Sequence, residues 1–265
     1  MLLKNKVIFL TGGTQGIGFE CAKVYHKAGA MLCIISDSEK SIQQAATVLP
    51  GDDIMFIRAD VSNANDIKNA IAATLKRFGK IDVIHNNAGI SNPSKTADDT
   101  TDEEWNRLFE VNVKGVYNTT KFGVAELKKT KGNILNTGSL VGDIGQENHA
   151  AYSATKGAIN ALTKSMALDY AQFGVRVNAV APAAVWTPML RRWSKQQPDA
   201  SVIENYLDEI HALGYCPDGD VIADACLFLI SDSARFVTGC ILPVTGGAEL
   251  GYRRLINQPV QENQA

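Results

Sequence analysis

The stretch Thr11-Gly12-Gly13-Thr14-Gln15-Gly16-Ile17-Gly18 directly follows the apolar run KVIFLT (6 to 11) and opens a helical pattern from Gly16 to Ala28. Glycines at a strand-to-helix junction let the chain turn tightly and bring backbone N–H groups against a pyrophosphate, whose charge the helix N-terminus then stabilises. The glycines fall at 12, 16 and 18, which is not the G-x-G-x-x-G spacing of the general dinucleotide fingerprint. Taken alone, such a turn is either a phosphate cradle or a tight connection. The rest of the chain decides between them.

Further β-branched runs recur along the chain: MLCIIS (31 to 36), DIMFIRA (53 to 59), IDVIHN (81 to 86), GNILNT (132 to 137), RVNAVA (176 to 181) and GCILPV (239 to 244). Helical patterns lie between them, at Ala64 to Phe78, Thr101 to Leu127, Ala151 to Phe173 and Ile222 to Ile230. Seven strands alternating with helices predict an α/β fold of one domain, 1–265, with a parallel sheet covered on both faces. Within it, 183–217 is long for a connection and reads as a lid, and the polar end 253–265 reads as an exposed tail.

The composition narrows the partners. A net charge of −2, with 45% hydrophobic and 20% charged residues, gives no reason to expect nucleic acid or a membrane surface, so the expected partner is a small molecule. Five cysteines without a C-x-x-C pair read as reduced, mostly buried thiols of a cytoplasmic protein, and no metal site is expected. The N-terminus lacks a signal peptide's apolar core, and no apolar run approaches the ~20 residues that span a bilayer.

Other candidate ligand-binding residues fall at the carboxyl ends of the predicted strands, the edge where open parallel sheets bind ligands. Asp60 and Val61 follow the third strand, and Asn86-Asn87-Ala88-Gly89 the fourth. An Asp there is suited to the amino group of adenine, and Ala88 and Gly89 permit close approach; Asp60 reads equally well as a helix N-cap. Ser139 follows the fifth strand, and Tyr152-Ser-Ala-Thr-Lys156 opens the next helix. Positions i and i+4 share a helix face, so an ammonium stands near a phenol and stabilises its phenolate. Spacing alone does not single out this pair, because Tyr117-Asn-Thr-Thr-Lys121 repeats it. Ser139 and Asn112 converge only on the first.

In order and spacing, Thr11-Gly12-xxx-Gly16-x-Gly18, Asn86-Asn87-Ala88-Gly89, Asn112, Ser139, Tyr152-xxx-Lys156 and Val180-Ala181-Pro182 resemble the short-chain dehydrogenase/reductase family over roughly residues 4 to 250. The resemblance implies a Rossmann fold with strand order 3-2-1-4-5-6-7, usually assembled as a homotetramer. It implies Tyr152 as general base or acid, Ser139 bonding the reacting oxygen, Lys156 binding the nicotinamide ribose and lowering the Tyr152 pKa, and Asn112 holding a relay water. The cofactor would be held by Gly12, Thr14, Gln15, Gly16, Ile17, Gly18, Asp37, Asp60, Val61, Asn87, Ala88, Gly89, Tyr152, Lys156, Pro182, Val185 and Thr187. Two departures stand out: Ala183 where the family usually has Gly, and Thr245 where it usually has Asp.

A third departure concerns the cofactor. In CIISDSEK (33 to 40), Ser36 holds the place where NAD-preferring members carry an acidic residue, and Asp37 holds the next, where many NADP-preferring members carry Arg. A carboxylate facing a 2′-phosphate is unfavourable, Gln15 is not basic, and Lys40 reads as the only nearby cation, so NAD is expected over NADP. The stretches 138–146, 185–188 and 244–252 resemble a branch of the family that oxidises L-fucose-like aldoses, which implies oxidation at the anomeric carbon to a lactone. Gln146, His149, Trp186 and Trp193, with Ser139, are the candidate substrate contacts. A hydroxysteroid or other secondary-alcohol dehydrogenase, or a carbonyl reductase, would use the same catalytic residues.

Overall fold

In the computed structural model, residues 1–91, 94–195, 197 and 199–251 are described, and the tail expected at 253–265 lies outside them. The chain runs β1 (Val7–Thr11), α1 (Gly16–Lys27), β2 (Met31–Ser36), α2 (Glu39–Val48), β3 (Ile54–Arg58), α3 (Ala64–Phe78), β4 (Val83–Asn86), α4 (Asp102–Phe109), α5 (Gly115–Thr130), β5 (Asn133–Thr137), α6 (Ala150–Ala171), β6 (Arg176–Pro182), α7 (Pro188–Lys195), α8 (Ala200–Glu209), α9 (Gly219–Ile230) and β7 (Ile241–Val244). The strands form one parallel sheet in the order β3-β2-β1-β4-β5-β6-β7. The order reverses between β1 and β4, so a crevice opens at the carboxyl ends of these two strands.

Alternation along the strands assigns the two faces. Ile8, Leu10, Leu32, Ile34, Val83 and Leu135 pack with α1 and α9, while Phe9, Cys33, Ile35, Ile84 and Ile134 pack with α3, α5 and α6. Every residue of β1 is buried, as a strand covered on both faces requires.

The expected helix from Thr101 to Leu127 is not continuous. It consists of α4, begun by a Thr101/Glu104 capping box, a π-helical turn over Glu110–Lys114, and α5. The polar run after Asp37 forms α2, capped by the Ser38 side chain, which accepts from Ser41 N. The cap of α3 is Asn63, whose side chain accepts from Asn65 N and Asp66 N, so Asp60 is not the N-cap. The segment expected to form a lid carries α7 and α8. Tyr117 and Lys121 lie on α5, where Tyr117 is exposed with the ammonium 5.3 Å from its ring centroid.

A buried polar chain ties the central elements together. Thr119 Oγ1 donates to Asn86 Oδ1 (2.6 Å), Asn86 Nδ2 to Asn136 Oδ1 (2.9 Å), and Asn136 Nδ2 to Thr163 Oγ1 (2.8 Å), joining α5, β4, β5 and α6. Asn136→Ala removes the middle of this chain and leaves Asn86 and Thr163 short of partners. The expected loss is about 2–4 kcal/mol of unfolding free energy, read from urea denaturation.

Candidate active site

The glycine loop closes against the turn after β4. Asn87 Nδ2 donates to the carbonyls of Thr11 (3.1 Å) and Gly12 (3.0 Å), and the Asn87 and Ala88 N–H groups donate to Thr11 Oγ1, each at 3.1 Å. There is no room for side chains at this closure: a Cβ on Gly12 would stand 2.8 Å from Ala88 Cα, and one on Gly18 2.3 Å from both Asn87 Nδ2 and Gly12 O. Gly12 and Gly16 also have positive φ, 62° and 56°. Gln15 provides no side-chain cap to α1, so the first N–H groups of that helix keep their capacity for an anion. An uncapped helix start beside a side-chain-free cradle fits a dinucleotide pyrophosphate.

Around this loop the expected cofactor residues fall into two groups. Gly16 faces Thr187, to which its Cβ would come within 3.4 Å, and Thr187 Oγ1 accepts from Leu190 N at the start of α7. Gln15 and Gly16 line an outer cleft, and Ile17 packs at the edge of the α1 core. Val61 and Val185, by contrast, are buried among core side chains. Asp60 Oδ1 accepts from Ser62 N (2.8 Å) and Ser62 Oγ (2.7 Å), and Arg107 reaches Oδ2 at 3.3 Å. Burial raises the Asp60 pKa, but the bonds from Ser62 and Arg107 outweigh it and hold the carboxyl below its usual range.

At the end of β2 the Ser36 hydroxyl is fully engaged. Thr14 Oγ1, Ser36 Oγ and Ser41 Oγ form a triangle with edges of 2.9 to 3.1 Å, and Ser38 N also donates to Ser36. Asp37 is exposed, and Arg58, at the end of β3, donates from Nε to the Asp37 carbonyl at 3.2 Å. Lys40 is therefore not the only nearby cation. Arg58 lies 21 residues from Asp37, and only the β2–β3 register, which pairs Ser36 with Arg58, reveals it.

The catalytic candidates meet at the ends of β4, β5 and β6. Ser139 donates to the Pro182 carbonyl (3.5 Å) and hydrogen-bonds the Tyr152 hydroxyl. Lys156 Nζ donates to the Thr137 carbonyl at 2.9 Å and lies 5.6 Å from the Tyr152 ring centroid. Asn112, in the π turn, exchanges bonds with Ile90 (Ile90 N to Oδ1, and Nδ2 to Ile90 O, both 2.9 Å) and donates to Thr155 Oγ1 at 3.1 Å. A Cβ on Gly89 would lie 3.3 Å from Asn112 Oδ1 and 3.8 Å from Lys156 Nζ.

Burial dominates the titration of this pair. It pushes the Tyr152 phenol up to about 12 against the lowering bond from Ser139, and it pushes the Lys156 ammonium down to about 8. The protein's own groups thus do not produce the lowered Tyr152 pKa that the family resemblance implies, because the cost of desolvating a phenolate exceeds what they return.

The expected substrate contacts are divided. His149 sits at the start of α6 with Nδ1 bonded to the Glu147 carbonyl (2.8 Å), and its backbone pairs with Lys95. Gln146 is exposed on the same loop. Trp193 Nε1 donates to Ser94 Oγ at 3.3 Å, so α7 is tied to the segment that pairs with His149. Trp186 lies elsewhere. It lines a cleft of about 520 Å³ with Thr14, Gln15, Phe19 and Asp218, which neither Ser139 nor Tyr152 lines, and Arg191 stacks on it at 4.8 Å.

A family model described as enoyl-(acyl carrier protein) reductase matches residues 12–249. The L-fucose dehydrogenase of Bos taurus is 39% identical over 256 residues, covering 96% of this chain and 93% of that protein. The crystal structure of 3-ketoacyl-(acyl-carrier-protein) reductase from Brucella melitensis complexed with NADH superposes with a TM-score of 0.86 at 32% identity, covering 93% of this chain and 99% of that one. The aldohexose dehydrogenase of Thermoplasma acidophilum superposes with a TM-score of 0.86 at 30% identity, covering 97% and 98%.

The buried ammonium carries a stability cost that has a pH signature. Below pH 8 Lys156 is protonated in both the folded and unfolded chain, so the full cost is present; between about 8 and 10.5 the folded protein sheds the proton first and the cost is relieved. Lys156→Met should therefore be more stable than the parent at pH 7, by roughly 2–3 kcal/mol, with the gap narrowing toward pH 10. Urea titrations across that pH range read both the sign and the trend.

Proposed function

This chain belongs to the short-chain dehydrogenase/reductase family, and on that premise we propose that it oxidises an L-fucose-like aldose at the anomeric carbon to the lactone, with NAD as the oxidant. The choice of a sugar is carried by the 39% identity to an L-fucose dehydrogenase along nearly the whole chain. The chemistry rests on the convergence of Asn112, Ser139, Tyr152 and Lys156 beside Gly89. In this reading the protein works in the cytoplasm as a homotetramer.

In the proposed reaction, Ser139 holds the anomeric hydroxyl and Tyr152 takes its proton as the C–H bond breaks. A nicotinamide held there would supply the hydride acceptor: with the hydroxyl proton taken by Tyr152 and the C–H electron pair leaving as hydride, the anomeric C–O bond becomes the lactone carbonyl. The Ser139 bond favours the phenolate and so opposes the burial that raises its pKa. In this reading Asn112, braced by Ile90 and Thr155, holds the relay water that the family resemblance implies. The glycine loop and the α1 N-terminus would hold the cofactor's pyrophosphate, and Asp37 would disfavour a 2′-phosphate.

The direct test offers purified protein NAD or NADP with a panel of aldoses, steroids and simple alcohols and follows the absorbance of the reduced cofactor. L-fucose and related aldoses with NAD should turn over; a steroid or aliphatic alcohol active where every aldose fails would overturn the sugar assignment. Tyr152→Phe should reduce kcat at least about a thousandfold while NADH still binds, since general base catalysis contributes roughly 10² to 10⁴. Asp37→Asn removes the repelling charge and leaves the Arg58 guanidinium to meet a 2′-phosphate. Its kcat/KM for NADP should rise about tenfold relative to NAD.

A further inference from the structure

His85 is a fully buried imidazole in an apolar layer, its register partners being Leu10 on β1 and Leu135 on β5. A leucine or valine would suit those neighbours. The ring is nonetheless bonded at both nitrogens: Tyr25 Oη lies 3.1 Å from Nδ1, and Thr137 Oγ1 lies 3.1 Å from Nε2. Both partners lead elsewhere. Cys21 and Cys226 hydrogen-bond the Tyr25 hydroxyl, and Thr137 bonds the glycine-loop clamp on one side and Lys156 on the other.

The direction of every bond is set by Asn87. Its Nδ2 is spent on the Thr11 and Gly12 carbonyls, which fixes the amide so that Oδ1 faces Thr137 and accepts from Thr137 Oγ1 at 3.4 Å. Thr137 has one hydroxyl proton. With that proton given to Asn87, the Thr137 oxygen must accept from His85, which therefore carries its proton on Nε2. Burial pushes the His85 pKa down to about 3, so the ring is neutral, Nδ1 is bare, and it accepts from Tyr25. The opposite tautomer would turn the Thr137 proton toward His85 and leave Asn87 Oδ1 without it. The Thr137 carbonyl, on the same residue, holds the Lys156 ammonium.

We propose that His85 is a positioning residue for the cofactor: fixed as the Nε2–H tautomer by Tyr25, it orients the Thr137 hydroxyl that locks Asn87 under the glycine loop and steadies the strand end that holds Lys156. The proposal rests on the reading of that loop and of Lys156 as the cofactor site. Its reach is 60 residues back from β4 to Tyr25 on α1 and 52 forward to Thr137 on β5.

Three measurements test it. Carbon and nitrogen NMR of histidine-labelled, cofactor-free protein at pH 7 should show His85 as the neutral Nε2–H form, and Tyr25→Phe should shift it toward Nδ1–H. Titration of intrinsic fluorescence should give an NADH Kd raised about tenfold in Tyr25→Phe and His85→Phe, equivalent to about 1.4 kcal/mol. In the same variants the KM for NAD should rise while kcat at saturation stays within about threefold. His85→Gln, which restores an N–H toward Thr137, should recover most of the affinity if the donor is what matters, whereas a purely space-filling role favours Phe over Gln. A native Nδ1–H tautomer, or a folded His85→Phe with parental NADH affinity, overturns the proposal. Failure of the parent protein to bind NADH overturns the cofactor reading instead, and the NMR result distinguishes the two.

Discussion

The site depends on the closure of the glycine loop onto the turn after β4 by the Asn87 carboxamide. Two carbonyls, one ending β1 and one beginning the loop, are both met by one side chain, that of Asn87. The cost is paid in shape. Gly12 and Gly18 must lack side chains, because any Cβ would occupy the space that Asn87 and Ala88 take. Once the loop is fixed, the start of α1, the hydroxyl triangle of Thr14, Ser36 and Ser41, and the contact between Gly16 and Thr187 are all set by its position.

Around Tyr152 the dominant effect is desolvation, acting in opposite directions on neighbouring groups. It favours the neutral phenol and the neutral amine, which brings two pKa values ordinarily close together to about 12 and about 8. Tyr152 rests as the neutral phenol that burial favours, whereas Lys156, still protonated at neutral pH, is held by a carbonyl rather than by a counter-ion. Sites of this kind trade stability for reactivity.

Much of this was legible in the sequence, for a physical reason. Strands covered on both faces are short apolar runs, so seven of them stood out, and glycines at a strand end admit few readings. Tyr152 and Lys156 share a helix, and their spacing alone places them together. What was not legible depends on pairing between distant strands or on departures from regular geometry. Arg58 reaches Asp37 only through the β2–β3 register, Trp186 turns to the outer cleft because its backbone pairs with Asp218, and Asn63 rather than Asp60 caps α3. The family resemblance supplied the role of Lys156, but not the burial that outweighs it.

The π turn at Glu110–Lys114 governs how this part of the chain tolerates change. Asn112 and Thr119 are seven residues apart, and in a regular α-helix they would face nearly the same way. The π turn takes up one residue more than an α-turn, so positions counted across it fall about 100° short of where a regular helix would put them, and here Asn112 serves Ile90 and Thr155 while Thr119 serves Asn86. The wide turn therefore acts as a phase shifter between two clients of a single rod. A deletion of one residue within it would close the wide turn to an ordinary α-helical one, leaving α5 in phase with the buried asparagines but removing the wide turn from which Asn112 reaches Ile90 and Thr155. Length, more than residue identity, is what this segment must keep.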